Sequence, residues 1–301
     1  MTNTVASLRR KIVGAGDLQS VVRTMKAVAA SSIGQYENCV HALGDYYRTV
    51  ELGLSVCVRQ SGPASILQQR PPQFKKSSDE RVIGAIVFGT DQGLVGRFND
   101  VVADHAIRTL KHLPGRIQIW AVGERVQQLL TDPGLPLLGV FPLPNSVKAI
   151  TPLIGRILLE IDSFVGHDEA TELHLFYNRP VSGSVYEPVS QRLLPLDATW
   201  HRDLAQRPWP TQNLPEVMAG GTATLRAFIR EYLFVSLFRA CAESLASENA
   251  SRLAAMQRAD RNIDELLEAL NRNYHRLRQS SIDEELFDVV SGFEALSAEL
   301  M

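Results

Sequence analysis

Gly89-Thr90-Asp91-Gln92-Gly93-Leu94-Val95-Gly96 is the stretch whose residue types could most readily do chemistry. A Gly-rich turn that follows a strand and opens a helix can cradle a phosphate on its backbone amides. The spacing here is G-x-x-x-G-x-x-G, which is neither G-x-G-x-x-G nor a P-loop. Asp91 also places a carboxylate, with no paired cation, where an anion would sit. A structural strand-to-helix turn is the expectation. The seven histidines, His41, His105, His112, His167, His174, His201 and His275, show no metal-ligand spacing. No G-x-S-x-G and no H-E-x-x-H occurs. Cys39, Cys57 and Cys241 are odd in number and form no C-x-x-C, so reduced thiols are expected. These residues predict no catalysis by the chain itself, no cofactor and no metal.

Charge is the second signal. Lys and Arg total 31 against 33 Asp and Glu, a formal net charge of −2, which argues against a general nucleic-acid binder. The distribution is uneven. Arg9, Arg10, Lys11, Arg23 and Lys26 stand against Asp17 alone near the N-terminus. Arg272, His275, Arg276 and Arg278 form a basic band near the other end, followed at once by Asp283, Glu284, Glu285 and Asp288. Such a band on a helix that nothing covers suits insertion into a partner. No apolar run approaches the ~18 residues of a membrane span. The N-terminal residues lack the pattern of a secretory signal.

The elements that carry these residues are legible from periodicity. Alternating steps of 3 and 4 from Leu8 to Cys57 meet apolar residues at thirteen of fifteen positions. A mean spacing of 3.5 marks a coiled-coil seam. Gly14 and Gly16 together would cost ~2 kcal/mol in a helix interior, so a bend or a broken first segment there is an expectation. From Thr222 to Met301 there is no proline, and Gly292 is the only glycine. Leu225 to Leu245 is apolar around most of its circumference, as befits an enclosed helix. A narrow seam follows (Leu253, Met256, Ile263, Leu267, Leu270, Tyr274, Leu277), then a second one offset by one residue (Ile282, Leu286, Val289, Phe293, Leu296, Leu300). The C-terminal arm is the longer of the two, so part of it should project uncovered.

Breaker-rich stretches at 62–80 and 206–221 read as linkers. They divide the chain into an N-terminal coiled-coil helix (1–61), an α/β block (81–205) and a C-terminal coiled-coil helix (222–301). Within the block, Val82 to Phe88, Ile117 to Val122 and Leu173 to Tyr177 read as buried strands, with Val185 to Leu194 as an edge strand. Helical spacing runs over Val101 to His112, Arg125 to Leu130 and Val147 to Phe164. The fold class is therefore α/β: a long antiparallel coiled coil of the two chain ends with an inserted Rossmann-like domain.

Four stretches carry a resemblance to the γ subunit of F-type ATP synthases, the central rotor shaft. Leu8-Arg9-Arg10-Lys11-Ile12 with Met25-Lys26-Ala27-Val28-Ala29-Ala30 is similar to that family's N-terminal helix. Asp91 to Asn99 resembles its Asp-Arg-Gly-Leu-Cys-Gly-Gly-x-Asn loop. Glu231 to Ala240 with Glu243 to Glu248 resembles its C-terminal helix. Arg278-Gln279-Ser280-Ser281-Ile282 with Val289 to Leu296 resembles its terminal signature. The resemblance implies a non-catalytic rotor subunit with the α3β3 hexamer (three α and three β subunits), the ε subunit and the membrane c-ring as partners. It implies a peripheral place on the cytoplasmic face of a prokaryotic plasma membrane. It also implies that Met25, Lys26, Arg278, Gln279 and Glu285 are subunit-contact residues, Arg278 and Gln279 matching the pair that meets a β-subunit catch loop. Gln92 stands where Arg is usual, Val95 where Cys is usual and Asp283 where Thr is usual. Ser31 to Gln35 is uncharged where the family tends to be basic. These departures fit a divergent member, such as the second-operon type. Two other readings fit the elements alone: a nucleotide-binding α/β enzyme with coiled-coil arms, and a coiled-coil scaffold.

Overall fold

The structure is a computed structural model. It describes residues 4–68, 81–131, 134–165, 171–181, 184–196, 198–206, 208–213, 215–217 and 221–299. Contacts divide the chain into two units, Met1–Ala29 with Leu253–Met301, and Ala30–Arg252. Two long helices contribute to both: α1 (Val5–Gln68) and α6 (Gly221–Glu299).

The second unit is built on a five-stranded sheet. Its strands are β1 (Val82–Phe88), β2 (Arg116–Val122), β3 (Leu137–Phe141), β4 (Thr171–Val181) and β5 (Ser184–Leu194), in the order β3-β2-β1-β4-β5. The first four are parallel and β5 runs antiparallel at one edge. Parallel neighbours need crossovers, and helices α2 (Phe98–Lys111), α3 (Glu124–Thr131) and α4 (Val147–Val165) supply them. A short α5 (Ala198–Gln206) follows β5.

β1 is buried along its whole length because each face is covered. Ile83, Ala85 and Val87 pack with Val102, Ala106 and Leu110 of α2 and Val126 and Leu130 of α3. Ile86 and Phe88 join Ile150, Leu153, Ile154, Ile157 and Ile161 of α4, together with Leu54 of α1 and Val235, Leu237 and Cys241 of α6. The central strand thus reads as a continuous apolar run, while α6 is enclosed from Ala240 to Asn249.

Within this unit α1 and α6 run antiparallel. The Tyr46 hydroxyl donates to Glu231 at 2.6 Å, Tyr47 lies 6.2 Å from Tyr232 between ring centroids, and Cys39 packs on the cluster that holds Cys241. In the first unit the same sense holds. Val22 packs with Met256 and Ile263, and Lys26 pairs with Asp260. This is the seam expected from the 3.5 spacing.

Four boundaries differ from expectation. α1 is unbroken through Gly14 and Gly16, because Leu8, Ala15 and Val22 are buried on either side and offset the cost of two glycines. α1 also runs to Gln68, past the Gly62-Pro63 pair taken as the start of a linker. A proline removes one backbone donor but leaves the rest of the ladder. The remainder of that linker, 69–80, lies outside the described residues. β3 and α5 were not anticipated: the first is a five-residue run between prolines, and the second borders the breaker-rich stretch at 206–221.

Candidate functional site

The turn between β1 and α2 is a knot of internal hydrogen bonds. Gly89 N–H donates to Val122 C=O at 2.8 Å, and Thr90 N–H donates to Asn99 Oδ1 at 2.9 Å. Asn99 Nδ2 donates back to Thr90 Oγ1, whose hydroxyl reaches Gln92 C=O. The Asp91 carboxylate accepts from Glu124 N–H at 3.0 Å and from Leu143 N–H at 2.8 Å. Glu124 begins α3, so the start of that helix is capped by the Asp91 carboxylate. The glycine at 89 is required by packing, since a Cβ there would lie 2.3 Å from Val126 Cβ. The turn is structural, as its spacing predicted.

It also touches α6. Leu94 has φ +63° and Gly96 φ +62°, a double reversal that turns the Val95 carbonyl toward the helix. There it accepts the Ser251 hydroxyl at 2.6 Å. One turn earlier on α6, Glu248 is buried beside Arg252, with a contact of 2.6 Å. Burial raises the Glu248 carboxyl above its ordinary range, and the Arg252 guanidinium pulls it back. A second fastening lies further up. Glu243, 5% exposed, holds Arg239 at 2.7 Å and faces Tyr177 of β4. Burial, then the Glu243 charge, push the Tyr177 hydroxyl well above its ordinary range. Neither fastening shows as a pattern in the sequence, because each pairs residues from distant segments.

The expected contact residues fall into two places. Met25 packs on the Val22–Met256–Ile263 cluster, and Lys26 Nζ lies 2.9 Å from Asp260 Oδ2. Arg23 Nε joins Asp260 at 3.2 Å, and Gln19 donates to Asp264. The Lys26 hydrogen bond, aided by Arg23, holds the Asp260 carboxyl below the usual aspartate range. Met25 and Lys26 are therefore half-buried and engaged within the paired helices. Arg278, Gln279 and Glu285 are exposed on α6. Arg278 lies about 27 Å along the helix from Asp260 at 1.5 Å per residue, so the two groups do not meet. Among the described residues Arg278 makes no ion pair.

From residue 282 to 291 α6 is bare. Ile282, Leu286 and Val289 are 54, 60 and 70% exposed, and Phe287 is 68% exposed. The antiparallel pairing of Lys26 with Asp260 and Gln19 with Asp264 explains this. Carried onward, that register exhausts α1 at about position 280 of α6. Apolar side chains on an uncovered helix, interleaved with Asp283, Glu284, Glu285 and Asp288, form a surface suited to a partner.

Comparison with known proteins agrees along the whole chain. The sequence profile of the family described as ATP synthase matches residues 4–296. The ATP synthase gamma chain of Cupriavidus pinatubonensis is 26% identical over 298 residues, covering 96% of this chain and 98% of its own. That of Nitrosomonas eutropha is 27% identical over 302 residues with the same coverage. Among solved structures, a chain of the Euglena gracilis mitochondrial ATP synthase rotor is similar with a TM-score of 0.61 at 15% identity, covering 92% of this chain and 98% of that one. A chain of the Tetrahymena thermophila central stalk and c-ring gives 0.55 at 22% identity, covering 79 and 99%.

Proposed function

The chain belongs to the ATP synthase family, as a non-catalytic rotor subunit of the F-type enzyme, and we propose that its paired end helices carry torque while its α/β domain joins the shaft to the other rotating parts. Its partners are the hexamer of three α and three β subunits, the ε subunit and the c-ring. Together they couple ion translocation to ATP synthesis and hydrolysis. The chain is a peripheral part of a membrane-associated complex. No helix among the described residues is long and apolar enough to cross a membrane. Its bacterial relatives support a place on the cytoplasmic face of a prokaryotic plasma membrane.

The observation that carries the mechanism is the uncovered end of α6. A shaft with different side chains at each azimuth bears differently on three equivalent catalytic subunits. Their nucleotide affinities then differ, and turning the shaft permutes those affinities. Arg278, Gln279 and Glu285, exposed there, are the residues we assign to the hexamer. Met25 and Lys26 lie on the paired part of the shaft and would meet the hexamer with their remaining exposed surface. The segments 1–61 and 222–301 serve as shaft and 81–205 as attachment domain. The fastenings at Ser251–Val95 and Glu243–Tyr177 support this division, because they fix α6 to the sheet and its turn. The nucleotide-binding alternative is disfavoured by the Asp91 carboxylate at the amide-rich turn.

The test is co-expression with the hexamer subunits, followed by observation of a probe attached to residue 104 or 108 on α2. ATP-driven rotation of the probe is the expected result. Failure to join the hexamer, or ATP binding by the chain alone, would overturn the reading.

A further inference from the structure

Cys39 of α1 and Cys241 of α6 stand at the same level of the antiparallel pair. Tyr47 lies beside Tyr232, with ring centroids 6.2 Å apart. Eight residues back along α1 is Cys39, and nine forward along α6 is Cys241. At 1.5 Å per residue these steps are about 12 and 13.5 Å in the same direction. The packing agrees, since Cys39 rests on the apolar cluster that holds Cys241. Burial, then the charges of Glu248 and Cys241, raise the hydroxyl of Tyr36, one turn before Cys39. Burial, then the neighbouring Glu248 and Cys39, raise the Cys241 thiol. Small buried residues build α6 here: Ala240, Ala242, Ser244, Ala246 and Ser247. A disulfide needs Cα atoms within about 7 Å. Helix axes draw that near only where the side chains between them are small. Cys241 is fully buried and Cys39 half-buried. Cys57 is remote from Cys39, about 27 Å along α1 at 1.5 Å per residue, beside Gly53, Val56 and Phe228.

We propose that Cys39 and Cys241 are a modification site, a thiol pair that low-molecular-weight disulfides convert into a covalent bond between α1 and α6. Both are free thiols in the structure. Cys39, the more exposed, loses its proton to solvent, and its thiolate attacks one sulfur of the small disulfide. The S–S bond of that disulfide breaks. One half leaves as a thiolate and takes up a proton, and the other half stays on Cys39 as a mixed disulfide. The Cys241 sulfur then attacks the Cys39 sulfur. The Cys39–Cys241 bond forms, the mixed disulfide breaks, and the second leaving thiolate takes the Cys241 proton. The two cysteines lose two electrons and two protons, and the small disulfide is reduced to two thiols. Burial raises both thiols, so the reaction quickens as pH rises above neutral and the thiolate fraction grows. Cys57, with no thiol within reach on α1, stays reduced. The bond ties together two helices of one chain, so it suppresses the openings in which α1 and α6 part.

Thiol mapping of the purified, assembled complex tests this. The complex is treated with 2-hydroxyethyl disulfide at about pH 8.5, and its peptides are identified by mass spectrometry. The expected product is a peptide pair joined through residues 39 and 241 and released by reductant, with Cys57 still a thiol. Cys241→Ser should stop the reaction with the hydroxyethylthio group on Cys39. Cys39→Ser should yield no joined pair, and Cys57→Ser should leave the pair intact. Alkylating Cys39 with iodoacetamide beforehand should block the joined pair without any substitution. Amide exchange at 37–43 should slow several-fold on linking and recover with reductant. Four results overturn the proposal: no joined pair in the unsubstituted complex, a pair that includes Cys57, a pair that joins two copies of this chain, or exchange at 37–43 that quickens on linking.

Discussion

Ser251 of α6 gives its hydroxyl hydrogen to the Val95 carbonyl at 2.6 Å, joining residues 156 positions apart, both buried. The bond fastens a long helix to the turn that leaves the central strand. Replacing Ser251 by Ala would strand a buried carbonyl, at a cost of about 1–3 kcal/mol. Amide exchange at residues 94–97 in the assembled complex should quicken accordingly, by about five- to 150-fold. Ser251→Thr should preserve protection. Unchanged exchange in the alanine variant would mean that the bond contributes nothing to holding the turn.

Gly123 has φ +111°, and a Cβ there would lie 2.8 Å from the Thr90 backbone. Gly134 has φ +74° with open space around it. Gly123→Ala should therefore destabilise the full chain by about 1–3 kcal/mol, and Gly134→Ala by less. Chemical denaturation of both variants checks the order. Equal losses would show that backbone conformation alone matters and that the close approach of the β2–α3 turn to Thr90 does not.

Arg278→Ala with Gln279→Ala removes a fork of donors and an amide from the exposed part of α6. If these groups are desolvated against the hexamer, the double variant should lose ATP hydrolysis and ion pumping, with an effect of about 2–5 kcal/mol at the interface. If they stay solvated, the loss would be under about 1 kcal/mol. Assembly, ATPase rate and pumping of matched complexes decide it. No change in any of the three would leave the pair a solvated patch.

Asp260 responds to pH in a defined sense. Its carboxyl is held low by the Lys26 hydrogen bond and by Arg23, so this stabilisation is present above the ordinary aspartate range and fades as pH falls below it. Exchange at 20–28 and 256–264, corrected for its intrinsic pH dependence, should rise over that acid window. Asp260→Asn should abolish the rise, and added salt should weaken it in the wild type because the pair is accessible to solvent. A pH-independent profile in the wild type would contradict the pairing.

The uncovered end of α6 should behave differently from the paired part. In the isolated chain, exchange at 282–290 should be much faster than at 256–267, where Met256 and Ile263 are buried. The exposed Ile282, Leu286, Phe287 and Val289 should also promote aggregation. Uniform protection to residue 290 in a monomer would show that some other part of the chain covers the helix.

Much of this architecture was legible because burial leaves a period in the sequence. The 3.5 spacing from Leu8 and the unbroken apolar run of β1 each report a face that has to be covered. β3 was not legible: five residues between prolines are too few to show a period, and β2 covers only one of its edges. The glycines at 14 and 16 misled because local propensity was outweighed by the burial of Leu8 and Ala15. For the candidate contacts, position on the exposed helix was readable at Arg278 and Gln279. At Lys26 it was not, because its partner Asp260 is distant in the chain. Asp91 was readable as a carboxylate that would repel an anion, but its bonds to Glu124 and Leu143 were not, because those partners lie 33 and 52 residues further along.

The same carboxylate has a mechanical consequence. Asp91 follows β1, Glu124 follows β2 and Leu143 follows β3, so one side chain ties together the carboxyl ends of three neighbouring strands. A load applied to any one of these strand ends is thereby shared with the other two.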